Sequence, residues 1–480
     1  MSWVLVLLLV VPAAGALFRS RAVATGAAAV AFLLSVALVI GRGGGDLTGP
    51  VRPWHQLDVS WVPGLNLHFH LGVDGISYPL VVLTTLLTLL CCVYLQWTDE
   101  GGDGTLAALL LVIEVGIVGV FLALDLVLFF VFFEVVLLPM YAVIAGWGGP
   151  DRRAAARKFV LYTLFGSVLL LVGVFVVVAK AGTADLVALS ARPNLSSGTQ
   201  LAAFILLAIA FAVKSPLWPL HTWLPDAHTE APTVGSVILA GVLLKMGTYG
   251  LLRVAVGVLP DGARRVAPVL GVLAVAAILI GGLVCLAQTE LKRLIAYSSV
   301  GHMGFVLLGI ATLTATGFQA ALIGNVAHGI ITGLLFFLAG AIKDRTHTGS
   351  LDELGGLRET APALSGILGY AAIASLGLPG LAGFWGEAFA VIAAIQRGGP
   401  LWTTLAVLAA LGGALAAAYF LRLLYRVTHG PAKPPVVGIG EPSLGELVAW
   451  APLIVLALVV GLLPALVIGV AHDAVQVLAR

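Results

Sequence analysis

The sequence predicts an all-α polytopic membrane protein of about fourteen transmembrane helices, with two inverted five-helix repeats that each contain a broken helix. Three observations carry that expectation. The 480 residues are 60% hydrophobic and only 10% charged, with a mean hydropathy of +1.09, whereas soluble domains carry roughly a quarter charged residues. Apolar runs close to the length of about 20 residues that crosses a bilayer recur along the whole chain. Two of these runs are interrupted by proline and glycine, and paired interruptions in two halves point to inverted-repeat transport folds.

Taken in order, spans are expected near 2–18, 22–41, 75–97, 105–124, 127–147, 159–180, 200–224 (broken), 232–254, 267–287, 294–313, 317–341, 362–395 (broken), 402–425 and 446–470. The opening "MSWVLVLLLVVPAAGALF" has no basic segment before it and many spans after it, so it reads as a first span and not a signal peptide. The link from Gly41 to Gly75 contains "LDVSW" and "LNLHFHLGV", each alternating apolar and polar residues, with "PG" between them. That pattern predicts a small exposed hairpin, whose His55, His68 and His70 read as solvated and not metal-bound. Asp125, at the tight turn between the fourth and fifth spans, also reads as solvated. The seventh run meets Lys214 and then Pro216 and Pro219, which cannot continue a regular helix. The twelfth is interrupted by Gly377, Pro379 and Gly380. The two breaks lie five spans apart, and an odd spacing puts the two units in opposite orientations. The chain therefore divides into N-terminal spans (1–104), a first repeat (105–254), a second repeat (255–425) and a C-terminal span (426–480).

The net charge of +2 is small and no basic stretch alternates with aromatics, which argues against a nucleic-acid partner. Cys91, Cys92 and Cys285 lie in apolar runs without zinc or disulfide spacing and read as packing residues. Fourteen Lys and Arg, from Arg19 and Arg21 through Arg426 and Lys433, fall in or beside one set of loops. Nine (Arg42, Arg52, Lys180, Arg192, Arg253, Arg264, Arg265, Arg397 and Arg480) fall on the other side. The bias puts the first set in the cytoplasm and both termini outside.

Lys214 and Lys245 instead lie within spans, as do Glu134, His328 and Glu387. A charge at the bilayer centre costs about 2.5–3.5 kcal/mol on insertion scales, which makes each a functional candidate. One such residue reads readily as a structural ion pair. Five on five spans read better as a row that passes protons, because neighbouring acids and bases tune one another's pKa. Glu114 and His302 are weaker candidates, equally readable as helix-packing groups. Broken helix inside a membrane is tolerated only where protein or water satisfies the backbone. Lys214 is therefore expected beside a polar cavity, with Glu134 as its best partner.

The segments "FFVFFEVVLLPMY", "VKSPLWPLHTWLPDAHTEAPTVGSVILAGVLLKMGTYGLLR" and "GLPGLAGFWGEAFAV" resemble the antiporter-like subunits of respiratory complex I, the bacterial NADH:quinone oxidoreductase. The resemblance runs from "LGVDGIS" at Leu71 through the thirteenth span. It implies a proton channel along the membrane midplane of a bacterial cell membrane. Glu134 and Lys214 would form a pair whose opening or closing shifts the lysine's pKa. Lys245 and His328 would relay, and Glu387 would be the terminal group. His221 and His228 would lie near a cytoplasmic proton uptake point; histidines without a proton role are the alternative. Glu387 replaces the lysine typical of other branches, and the chain ends soon after its last span; both point to the M-type branch. A subunit of a cation/proton antiporter or of a membrane-bound hydrogenase is the competing reading. No Rossmann fingerprint, iron–sulfur cysteine set or haem motif occurs in the sequence. No cofactor is expected in this chain; NADH, FMN, iron–sulfur clusters and quinone would belong to partner subunits. The expected partners are other complex I membrane subunits, above all neighbouring antiporter-like ones, and lipid.

Overall fold

The computed structural model describes residues 1–42, 51–98, 102–191 and 195–479. Part of the link after Gly41, and Arg192 and Arg480 of the charge count, lie outside the described residues. The described chain is mostly helical, and eleven helices are long and apolar enough to cross a membrane. Ser2–Ala16, Arg21–Ala37, Pro362–Ser375 and Ala465–Leu478 are shorter apolar helices. Apolar runs form helices here because hydrocarbon offers the backbone no hydrogen-bond partner, so each segment must satisfy its own N–H and C=O groups.

Burial separates the helices into a centre and a periphery. The most apolar 18-residue stretch of Thr233–Val256 is 100% buried and that of Ala315–Thr346 is 94% buried. In Arg152–Ala181 and Gly399–Thr428 the corresponding share is 39%. The two central helices cross closely because glycines face each other. A Cβ on Gly329 would lie 2.7 Å from the carbonyl oxygen of Gly241, so only small residues allow that approach. Lys245 stands one turn beyond Gly241 and His328 directly precedes Gly329. Two wide π turns, Leu239–Leu243 and Leu251–Val256, interrupt the first of these helices. Such turns gather at functional positions.

The hairpin forms as expected, from strands His55–Val62 and Leu67–Val73 paired antiparallel. Its first strand is largely exposed, but the second turns inward. His70 is consequently buried, not solvated, with Nδ1 2.6 Å from an Asp185 carboxylate oxygen. Asp125 is likewise buried, because its carboxylate accepts the Val127 and Leu128 amides that begin the Leu126–Val135 helix. Backbone donors replace water there. Arg253 corrects the charge count as well. It lies in the second π turn, 2% exposed, with Nη2 2.6 Å from the buried Asp74 carboxylate. The Asp74 carboxylate offsets the cost of desolvating the guanidinium, so this arginine can sit inside a span. All three cysteines are buried, and no disulfide joins them.

Candidate functional site

The Ser197–Lys214 helix ends at Lys214 and helix resumes at Trp223–Glu230. Carbonyls released by the prolines find protein donors. The Trp223 indole donates to Val213 O at 3.0 Å, and the Leu217 amide donates to Ala212 O at 2.9 Å. Lys214 is 2% exposed, and its Nζ lies 4.8 Å from the centroid of the Phe133 ring. That aromatic face substitutes for part of the ammonium's lost hydration. Glu134 follows Phe133, and its Oε1 is buried without a hydrogen-bond partner among the described residues. No ion pair joins Glu134 to Lys214 among those residues; the two charges are neighbours held apart.

The next helix packs directly on this break. A Cβ on Gly247 would lie 2.3 Å from Ser215 Oγ and 2.8 Å from Phe211 O, so glycine allows the approach. Lys245, fully buried, has its Nζ 2.7 Å from His328 Nδ1 and also donates to Ala240 O in the first π turn.

From His328 the row continues. The rings of His328 and His302 lie 5.9 Å apart between centroids. His302 Nδ1 is 2.9 Å from Glu387 Oε1, and its Nε2 is 3.1 Å from Ser375 Oγ. A cavity of about 30 Å³ lies among His302, His328, Ser375 and Glu387. That is enough for a water or two, since one water needs about 10–15 Å³ of such space. Glu387 begins the second turn of the Gly383–Arg397 helix, after the second break. Gly377 bends the chain there with φ +82°, and Glu387 Oε2 lies 3.0 Å from where its Cβ would stand. A wider cleft of about 420 Å³, with Phe305, Gly377 and exposed Ile392 among its walls, reaches Glu387 from the molecular surface.

Four of the five charged candidates therefore fall into two clusters, Lys214 near Glu134 and Lys245 against His328, and Glu387 joins the second through His302. His302 was the weaker candidate from sequence, and it occupies the connecting place. Its only signal was a mid-span position, which a neutral packing histidine shares. Glu114 stands apart from the row, fully buried with neither carboxylate oxygen bonded to a described residue. His221 and His228 are both buried. The His228 ring stacks on Phe336 at 4.3 Å, and neither of its nitrogens has a partner among the described residues. On the same helix as His228, Asp226 pairs with Lys158 at 2.6 Å and Arg293 at 3.2 Å beside a surface recess of about 260 Å³.

Comparison with known proteins bears on the family and the fold. Residues 123–412 match the NADH:quinone oxidoreductase/Mrp antiporter transmembrane family. The chain is 41% identical to NADH-quinone oxidoreductase subunit M of Rhodobacter capsulatus, covering 94% of this chain and 88% of that protein. It is 44% identical to NAD(P)H-quinone oxidoreductase chain 4 1 of a Synechococcus strain, covering 85% and 78% respectively. Its fold superposes on a chain of respiratory complex I from Thermus thermophilus with bound NADH at TM-score 0.91 and 30% identity, covering 99% of each. It superposes on a chain of the Mrp complex from a Dietzia species at TM-score 0.86 and 23% identity, covering 100% of this chain and 97% of that one; this likeness concerns the fold alone. Family match, identity and fold agree: the chain belongs to the NADH:quinone oxidoreductase/Mrp antiporter family of membrane subunits, in its subunit M/chain 4 branch.

Proposed function

We propose that this chain translocates protons as a membrane subunit of a bacterial NADH:quinone oxidoreductase. The observation that carries the reading is the row Lys245–His328–His302–Glu387, buried at its first two members and part-buried at its last two, with contacts of 2.7 Å and 2.9 Å at its two ends. Redox chemistry, with NADH, FMN, iron–sulfur clusters and quinone, belongs to partner subunits, neighbouring antiporter-like ones among the membrane partners.

A proton on Lys245 Nζ passes to His328 Nδ1, and the imidazole releases its other proton from Nε2 toward the small cavity. His302 repeats that exchange between its Ser375 side and its Glu387 side, and Glu387 holds the proton last. Two ring nitrogens let each histidine receive at one edge and give at the other. Lys214 and Glu134 form the first step. Charge approaching Lys214 from Glu134 favours its protonated form, and separation favours release. His228 and His221, near the Asp226 recess, supply protons from the cytoplasmic side. Fourteen spans, with 105–254 and 255–425 as inverted repeats and both termini outside, place Lys214 and Glu387 at related positions in opposite units.

Copurification from native membranes tests the assignment. Flavin and iron–sulfur subunits attached to this chain support it. Attached cation/proton antiporter subunits without them, or hydrogenase subunits, support the competing readings.

A further inference from the structure

A second surface recess, of about 260 Å³, lies where the Gly399–Thr428 helix ends, with Asp352, Tyr425, Arg426, His429, Gly430 and Lys433 among its walls. The helix has 30 residues and is about 45 Å long at 1.5 Å per residue. The hydrocarbon core is about 30 Å thick, so the last turns of the helix reach the headgroup layer. Tyr425 is 71% exposed within one turn of that end, with its ring stacked near His429 at 6.0 Å. Exposed tyrosines settle at that depth because the ring is apolar and its hydroxyl is wet.

Charge separates this recess from the one beside Asp226. There, Lys158 and Arg293 face Asp151, Asp226 and Glu230, so the acids outnumber the bases. Here Asp352 is the single acid among the described wall residues, and Arg426, Lys433 and His429 share the wall with it. Asp352 engages only one N–H of Arg426, at 2.6 Å, and its backbone carbonyl takes Lys433 Nζ at 2.6 Å. Glu359, nearby, is held by the Ala432 amide. An arginine carries five donors and a lysine three, so most of this donor set is left to face a ligand. Basic pockets between helices at a membrane edge suit phosphate-bearing headgroups.

We infer that this recess binds the phosphate of an anionic phospholipid headgroup. Arg426 and Lys433 hold the phosphate oxygens, His429 adds a donor, and the Tyr425 ring lies along the glycerol and upper acyl chain. The bound lipid ties the end of the Gly399–Thr428 helix to the loop at Asp352. The assignment depends on the chain lying in a membrane and not on its passing protons.

The test uses the whole purified complex, stripped of lipid in detergent and then supplied with phosphatidylcholine vesicles with or without cardiolipin. Native mass spectrometry is expected to find at least one more cardiolipin retained by wild type than by the Arg426→Gln/Lys433→Gln variant. Cardiolipin is expected to raise the unfolding midpoint of wild type and to lose most of that effect in the variant. His429→Gln, a milder change for use if the double variant assembles poorly, should weaken retention in the same direction. Equal retention by wild type and both variants overturns the proposal. Equal stabilisation by inorganic phosphate at matched concentration overturns the headgroup as its source. NADH-driven proton uptake by the lipid-supplied double variant should match wild type, which keeps this result separate from the fate of the proton row.

Discussion

His302 joins the two ends of the row: its Nδ1 meets Glu387 while its ring faces His328. His302→Leu should depress proton uptake severalfold at normal assembly. His302→Gln, which keeps one hydrogen-bonding edge but cannot exchange a proton, should fail similarly; uptake by the glutamine variant at wild-type rate would show that His302 only positions Glu387. Lys245→Arg keeps the charge but holds its proton too tightly to release it near neutral pH, so uptake should fall even in fully assembled complex. Glu134→Gln and Lys214→Ala should each slow uptake, and their double variant should depart from additivity by about 0.5–3 kcal/mol in activation free energy, the range for coupled neighbours. Strict additivity would remove the pair from the first step. The charged members of the site were legible because a lysine or glutamate in an apolar run has few bland explanations. His302 was not, since a neutral imidazole packs between helices as readily as it relays. Asp125 and Arg253 were misplaced for a related reason. Sequence shows that they lie near helix ends, but not that backbone amides or Asp74 replace their water.

At the scale of helices and strands, the Asp74–Arg253 pair fastens the hairpin to the central Thr233–Val256 helix. Breaking a buried pair by removing one partner costs about 3–5 kcal/mol. Arg253→Gln should therefore lower the yield and unfolding midpoint of the complex before it alters turnover per assembled complex. Asp185 makes the hairpin sensitive to acid. Burial pushes its carboxyl up, but the His70 ring and the Ala188 amide outweigh burial and hold it below its ordinary value. A depressed carboxylate stabilises the folded state above its unfolded pKa and loses that contribution as pH falls through the folded value. The hairpin should thus loosen only below about pH 4, the ordinary aspartate range. Pepsin cleavage near the Asn66 turn, followed as pH is lowered, measures this, and Asp185→Asn should show comparable cleavage without needing the lower pH. The long apolar helices and both breaks were legible at this scale, because apolar length and proline act locally. The π turns and the inward second strand were not, because neighbouring helices fix them: Gly72, for instance, seats the hairpin on Leu124.

Across the whole molecule, Lys245 and His328 stand in the two most buried of the long apolar helices, while Arg152–Ala181 and Gly399–Thr428 face outward. One cluster stands at the first broken helix, with Lys214 near Glu134, and the other runs from Lys245 and His328 through His302 to Glu387 beside the second break, where a cleft opens to the surface. A carboxyl can take up a proton as a neutral group and give it back to water. Glutamine copies the neutral form and releases nothing. NADH oxidation and proton uptake by Glu387→Gln and Glu387→Asp complexes in sealed membrane vesicles, with complex content checked on native gels, is the most direct test. Glutamine should leave assembly intact and depress turnover and uptake together, with aspartate retaining part of both; full proton uptake by the glutamine variant would contradict the account.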